Sequence, residues 1–503
     1  MTRKPPTLTH RTISGMAWSA WGSAATGALK VLVLVLLTRL LSPADFGVVG
    51  AALIVIGFSL AFSQLGMGPA LIQRPVLEDR HISTAFYAST GFGIVVAVFV
   101  WILAPNIADF FYMKQLVPVV RALSVLFPIA GVSSVAENLA QRDMRFRLLA
   151  NTDVFAYSVG YGLVGVVLAI LGFGAWALVA GQIAQAVLRA AVVLRAAPPR
   201  LRPGPSWVCF RDLMGFGMGL SAARLGVILA NQADNLVVGR WLGAVALGLY
   251  SRAYQLMSVP TSLLGDVFDK VLFPTMSRVQ EDIRRLTTAY LQGTAVVALV
   301  TLPAGVVAAV VAPELVAVAF GNKWEALVPA FQVLSLGMMF RTSYRMSDSL
   351  SRATGKVYRR AWRQALYAVL VFVGAWVGQR DGITGVALGV LVALFLNYLL
   401  MAHLGLGVLR ITWSSFLKAQ LPALWLTIIV GAVTFAAMAA TRHLELSPPT
   451  RLLAGLLAGT GSAAASASLA PVLTLGEHGM RMRDTLRAFW LARFHPTHVG
   501  EPT

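Results

Sequence analysis

Charge is scarce in this chain of 503 residues: Asp, Glu, Lys and Arg make up 12% of it, against about 25% in soluble globular proteins. A larger core does not explain the deficit, because a soluble chain of this size still needs a polar surface over that core. With 57% hydrophobic residues and a mean hydropathy of +0.73, the chain must meet lipid. Cysteine is nearly absent. Cys209 alone excludes a disulfide framework and a cysteine-based metal site. Acidic residues are outnumbered, 21 against 41 basic ones, a formal charge of +20. In a soluble protein that excess would point to nucleic acid; here basic loops on the cytoplasmic side of a bilayer account for it, and no nucleic-acid partner is expected. The chain has no GxxxxGK[ST] loop, since Gly355-Lys356 runs into Val357, and no HExxH, GxSxG or CxxC. No outer loop exceeds about 15 residues, which leaves little room for a catalytic subdomain. No enzyme chemistry, metal or cofactor is expected.

Apolar runs are abundant. A spanning helix needs about 20 mostly apolar residues, and fourteen stretches qualify: 12–38, 45–65, 83–105, 117–137, 150–171, 174–194, 212–238, 244–272, 287–312, 327–350, 362–379, 382–405, 415–440 and 450–475. The expected fold is an all-α polytopic membrane protein. Its first apolar stretch is too long for a cleavable signal and is followed at once by further spans. Basic residues set the orientation. With the N-terminus inside, 26 of the 41 fall in cytoplasmic segments, seven in outer ones and eight within spans, so both termini are expected in the cytoplasm. From Gly479 to Phe494, Met482, Leu486, Phe489 and Trp490 recur at helical spacing among Arg481, Arg483, Arg487 and Arg493. That pattern predicts a basic amphipathic helix on the inner leaflet.

An internal repeat organises the spans. Residues 38–47 align with 239–248 at an offset of 201, matching Arg39 with Arg240, Leu41 with Leu242 and Gly47 with Gly248; Thr84-Ala85-Phe86-Tyr87 then meets Thr288-Ala289-Tyr290 after a small insertion. Helices 1–6 superpose on 7–12 in the same orientation, predicting two pseudo-symmetric six-helix bundles with a site in the cleft between them. The expected boundaries are 1–205, 206–410, two extra helices in 411–475 and a tail from 476.

Ionisable groups inside spans are costly and default to functional roles. Ser19, Ser23, Thr26 and Lys30 form one stripe on helix 1; Arg224, Asn231 and Asn235 form another on helix 7, with Asp234 beside them. The repeat offset maps Lys30 onto Asn231 and Ser23 onto Arg224. Helix 10 carries Arg341, Arg345 and Asp348 at i, i+4 and i+7. The plainer readings are that Asp266 pairs with Lys270 and that Arg121, Asp153 and Arg252 snorkel from helix ends. Lys30, Arg224, Asp234, Arg341 and Arg345 leave four cations against one anion, a composition suited to an anionic ligand and, through arginine's fork, to phosphate. The expected substrate-binding set is Lys30, Arg224, Asn231, Asn235, Arg341 and Arg345, with Asp234 and Asp348 as ion-coupling candidates. Trp18, Trp21, Tyr250, Tyr254 and Tyr344 serve sugar stacking or, more simply, helix packing.

Arg39-Leu40-Leu41-Ser42-Pro43-Ala44-Asp45-Phe46-Gly47 and the stretch from Phe62 to Arg74 resemble the N-terminal part of bacterial polysaccharide flippases. Residues 232–240, 247–254 and 272–278 resemble the second-lobe motifs of the same Wzx-like family, in the polysaccharide transport branch of the MOP (multidrug/oligosaccharidyl-lipid/polysaccharide) exporter superfamily. The likeness is concentrated in 12–90 and 212–290. It implies a twelve-helix, two-lobe core plus two helices in the bacterial inner membrane. It further implies alternating access that moves a polyprenyl-diphosphate-linked oligosaccharide outward for exopolysaccharide or lipopolysaccharide (O-antigen or capsule) synthesis. Membrane lipids, that glycolipid, and the glycan polymerase and export machinery are the partners implied. Two other readings compete. A MATE-type multidrug exporter would be expected to carry excess acids for cationic drugs; a glycan polymerase or ligase would be expected to carry a large outer loop.

Overall fold

The computed structural model describes residues 8–63, 67–477 and 479–480. The expected tail helix from Gly479 to Phe494 lies almost wholly outside them. Every regular element among the described residues is helical, and the chain divides into two compact units, Met1–Ser251 with Ala319–Lys323, and Arg252–Val318 with Trp324–Thr503.

The first unit runs through α1 (Leu8–Leu40), α2 (Pro43–Ser63), α3 (Met67–Gln73), α4 (Asp79–Phe111), α5 (Leu116–Leu123), α6 (Leu126–Arg142), α7 (Phe146–Ala156), α8 (Gly165–Ile170), α9 (Ala175–Ala196) and α10 (Trp207–Val237). Wide π-helical turns, Tyr157–Val164 and Val238–Leu242, join α7 to α8 and follow α10. The next helix, α11 (Gly243–Arg278), opens in the first unit and continues in the second.

The Ser42-Pro43-Ala44-Asp45 motif is a helix start. The Asp45 carboxylate accepts from the Ser42 backbone N–H at 2.9 Å and its hydroxyl at 2.6 Å, while Ser42 Oγ accepts from the Asp45 N–H at 3.3 Å, the reciprocal arrangement of a capping box. About one turn on, Gly47 explains itself: a Cβ there would lie 1.7 Å from the Ala244 carbonyl oxygen, and one on Gly248 would lie 1.8 Å from that of Pro43. Pro43 and Ala244 are related by the same offset of 201 as Gly47 and Gly248. The two copies of the repeated segment therefore touch reciprocally, as a two-fold relation requires.

The second unit adds α12 (Ile283–Val310), α13 (Ala312–Ala319), α14 (Val328–Leu336), α15 (Met338–Ala353), α16 (Val357–Gly378), α17 (Gly382–Leu409), α18 (Trp413–His443), α19 (Pro448–Leu469) and α20 (Pro471–Thr474); the last residue of α13 belongs to the first unit. Asp282 caps α12 by accepting from the Arg284 and Arg285 N–H groups. Met346, Leu350, Tyr290, Tyr398 and Phe416 meet in its core. There the hydroxyls are satisfied, Tyr290 with Ser347 at 2.9 Å and Tyr398 donating to Gln420 at 2.8 Å. The α16–α17 hairpin packs backbone on backbone. Gly374 faces Gly389 and Gly378 faces Gly385, so closely that a Cβ on any of them would lie within 2.6 Å of the partner's carbonyl oxygen. Each helix thus presents a GxxxG face, the spacing that lets helices approach closely in lipid.

Nine helical segments among the described residues are long and apolar enough to cross a membrane; the longest, Tyr358–Leu409, contains both α16 and α17. α1, α10 and α11, whose side chains are only partly described, are not among them, nor is α15, which is 16 residues long; α1, α10 and α15 carry every residue of the expected site. Each of the fourteen apolar stretches falls on one helix or on a run of consecutive ones.

In the first unit, segments expected on one side of the membrane meet one another. Arg39 donates to the Ala319 carbonyl at 3.2 Å, Lys323 to that of Arg39 at 2.8 Å, and Arg240 to the Tyr112 hydroxyl at 3.1 Å. The opposite set does the same: Arg74 pairs with Asp212 at 3.4 Å, Arg202 with Asp79 at 3.2 Å, and Arg145 donates to the Ala196 carbonyl at 2.7 Å.

Candidate functional site

In the first unit, Lys30 is exposed on α1. Asp153 of α7 does not stand alone at a helix end. It pairs at 3.3 Å with Arg189 of α9, which also reaches Glu137 of α6 at 3.3 Å. One guanidinium thus ties two carboxylates on two helices. Neither Glu137 nor Arg189 figured in the expected site, although Arg189 is a lone cation in the apolar stretch 174–194 and was open to notice there.

On α10, Asn231 is exposed, whereas Asp234 and Asn235 are buried at 2% and 9% exposure. Asp234 accepts from the Tyr250 hydroxyl at 2.8 Å and from the backbone N–H of Asn235 at 2.8 Å. The Asn235 amide donates to Gln232 at 3.1 Å, and its Oδ1 is buried with no hydrogen-bond partner among the described residues. Arg224 lies in α10, but its side chain is outside those described. The shared face predicted for Asn231 and Asn235 is thus exposed at one turn and buried at the next.

In the second unit, Arg341 and Arg345 both rest on α11. The Arg341 guanidinium lies 4.8 Å over the Tyr254 ring and donates to its hydroxyl. Arg345 lies flat against Gly265, where a Cβ would come within 2.4 Å of its Cζ. The two contacts stand eleven residues apart, three turns, on one face of α11. Asp348 is engaged elsewhere: Arg352 binds one oxygen at 3.1 Å and Arg360 of α16 binds the other. The structure thus pairs Asp348 with two arginines that the sequence assigned to the cytoplasmic loop.

Two further charges are structural. Glu314, 5% exposed, receives a two-pronged bridge from Arg442, Nε to Oε1 at 2.9 Å and Nη2 to Oε2 at 3.1 Å. Replacing Arg442 by alanine leaves that carboxylate buried and unmet, which costs about 1–3 kcal/mol. The purified variant should melt at lower temperature in detergent, and leucine at both positions should recover much of the loss. An unchanged melting temperature in Arg442→Ala would rule this out. In the cluster expected on the outer side, burial lowers the Lys323 pKa from its ordinary value; Asp45 opposes the shift and Arg39 adds to it.

The comparisons with known proteins agree with this architecture. A family model described as polysaccharide biosynthesis protein matches residues 36–329, more than half of the chain. The chain belongs to this polysaccharide biosynthesis family. The teichuronic acid biosynthesis protein TuaB of Bacillus subtilis (strain 168) is 26% identical over 90% of this chain and 94% of its own length. The lipopolysaccharide biosynthesis protein WzxC of Escherichia coli (strain K12) is 26% identical over 85% and 87%. Among solved structures, the lipid II flippase MurJ in an inward closed conformation has a TM-score of 0.72 at 12% identity, covering 90% of this chain and 98% of that one. An inward-facing MATE family transporter of the MOP superfamily has a TM-score of 0.57 at 15% identity, covering 80% and 95%. These structures carry the fold alone. This member of the polysaccharide biosynthesis family is an all-helical multi-pass membrane protein with the fold of the MurJ and MATE structures.

Proposed function

We propose that the protein is a flippase that moves a polyprenyl-diphosphate-linked oligosaccharide repeat unit from the inner to the outer leaflet of the bacterial inner membrane. The observation that carries this reading is the pair of guanidiniums, Arg341 and Arg345, set one turn apart on polar α15 and braced against α11. Two forks at that spacing suit a diphosphate, which accepts several charge-assisted hydrogen bonds at once. Lys30, Arg224, Asn231 and Asn235 are the substrate-contact candidates of the first unit. Names of relatives support the substrate class: WzxC is a lipopolysaccharide biosynthesis protein and ExoT of Rhizobium meliloti (strain 1021) a succinoglycan biosynthesis transport protein.

We read the chain as fourteen spans with cytoplasmic termini, two six-helix bundles at 1–205 and 206–410 with helices 13 and 14 in 411–475, working by alternating access. The reciprocal contact of Gly47 and Gly248 and the grouping of loops by expected side support this. Reporter fusions after Asn322 and Gln379 should signal outside, and after Pro203 and Gly355 inside; reversed signals would reject the topology.

The deciding test of function is a leaflet-exposure assay. Proteoliposomes holding labelled lipid-linked glycan should show protein-dependent loss of label protection. Protection equal to that of empty liposomes would refute the flippase. A glycan polymerase that captures the product at the outer leaflet is the partner this activity needs.

A further inference from the structure

We propose that the first unit carries a separate saccharide site at its expected outer end, and that it takes an acidic sugar. A cavity of about 510 Å³ lies between the turn Tyr112–Gln115 and the π-helical segment Val238–Leu242, within the size range of small-molecule sites. Its polar groups are Tyr112, Lys114, Gln115 and Arg240, with the indole of Trp241 beside them; the lining holds two cations and no carboxylate.

Arg240 is the centre of the site. Its guanidinium lies 3.9 Å over the Tyr112 ring and 5.2 Å over that of Phe110, with the Trp241 ring at 5.9 Å. One terminal nitrogen donates to the Tyr112 hydroxyl at 3.1 Å; the other is buried with no hydrogen-bond partner among the described residues. A cation held among rings with an unmet buried donor is poised for an acceptor, because the unmet donor is the costly state. Its repeat equivalent, Arg39, donates to the Ala319 carbonyl.

The backbone is bent to build it. Tyr112 ends α4 at φ 54, in the left-handed region that glycine or asparagine usually fills. Such strain persists where the surroundings enforce it and clusters at functional sites. On the other wall the π turn widens the helix at Arg240, another feature common at functional sites. Tyr112 and Trp241 remain 77% and 46% exposed, so ring faces stay open beside the cations. Apolar ring faces suit the C–H face of a sugar and the two cations suit its carboxylate; a bare phosphate needs only the cations.

The role of such a site, receiving the glycan as it leaves, rests on the flippase reading; its existence does not. The test separates the two. The full-length protein in phosphatidylcholine nanodiscs is titrated with a soluble, lipid-free oligosaccharide containing glucuronate and with its glucose analogue. The acidic sugar should bind at least about tenfold tighter, the equivalent of one charge-assisted contact. Arg240→Gln should erase that preference and Lys114→Gln should reduce it several-fold. Lys114 is exposed, so its variant decides the matter if Arg240→Gln fails to fold. Equal binding of the two sugars, or an unchanged preference in Lys114→Gln and in a folded Arg240→Gln, would overturn the site. So would loss of the preference when phosphatidylglycerol replaces part of the phosphatidylcholine, which would mark a lipid head-group site. Wild-type protein that flips lipid-linked glycan yet shows no sugar preference refutes this site alone; sugar preference without flipping refutes the flippase alone.

Discussion

Export of the lipid-linked glycan should fall by about 100-fold when Arg345 is replaced by alanine, with the protein still in the membrane at its normal level. A diphosphate cannot enter hydrocarbon bare, because desolvating it costs many kcal/mol unless cations and donors replace its water. Truncating one partner of a desolvated charge pair typically costs 2–5 kcal/mol, and about 2.7 kcal/mol corresponds to 100-fold. Arg341→Ala should act in the same direction. Lysine at position 345 should restore charge without restoring the fork, leaving an intermediate defect. The contact with Gly265 supplies a variant that touches no charge. A methyl group at 265 collides with the Arg345 Cζ and must push the guanidinium aside. Gly265→Ala should therefore reproduce part of the defect with both arginines present. Glycan export in cells, normalised to membrane-inserted protein, measures all four variants. Normal export in both Arg341→Ala and Arg345→Ala would reject the assignment.

The sequence made some of this architecture readable because its information is local. Apolar length marks helices wherever they end up, and the fourteen stretches all fall on helical segments. Ser42 and Asp45 cap α2 within four residues of chain, and Gly47 and Gly248 recur at one offset. Their contact with the opposite copy was not readable, since alignment says which positions are equivalent and not which ones touch. The GxxxG pairs of α16 and α17 were equally visible as spacing, but only a facing partner turns spacing into packing. Charges fared worst. The face a side chain occupies depends on helix rotation, which a run of apolar residues barely constrains. Asp153 thus reads as a helix-end residue while its partner is Arg189, and Asp348 shares a helix with Arg341 and Arg345 while it binds Arg352 and Arg360. Burial separates neighbours too: Asn231 and Asn235 share a stripe in sequence, yet one is exposed and the other almost dry.

Dependence of transport on an imposed ion gradient should disappear when Asp234 is replaced by asparagine. Each elementary charge crossing 100 mV is worth about 2.3 kcal/mol, about fiftyfold in an equilibrium constant. With a negative interior, an anionic head group moving outward is favoured by the potential itself. The return of the empty protein then needs its own bias, and a membrane-embedded carboxylate that takes up a proton or sodium ion from outside supplies one. Asp234 lies deep enough to serve: it is 2% exposed and accepts from the Tyr250 hydroxyl on one oxygen. Asp348 is clamped by arginines on both of its oxygens. The Tyr250 hydroxyl can remain in place whether Asp234 is charged or not, by turning its hydrogen from donor to acceptor geometry. Tyr250→Phe should accordingly weaken the gradient response without removing it. Vesicles with separately imposed pH, sodium and voltage gradients distinguish the contributions: the Asp234→Asn protein should retain the voltage response carried by the substrate and lose the response to the coupling ion. An undiminished ion response in that variant would remove Asp234 from the mechanism. Transport that required ATP and ignored all three gradients would overturn gradient coupling itself.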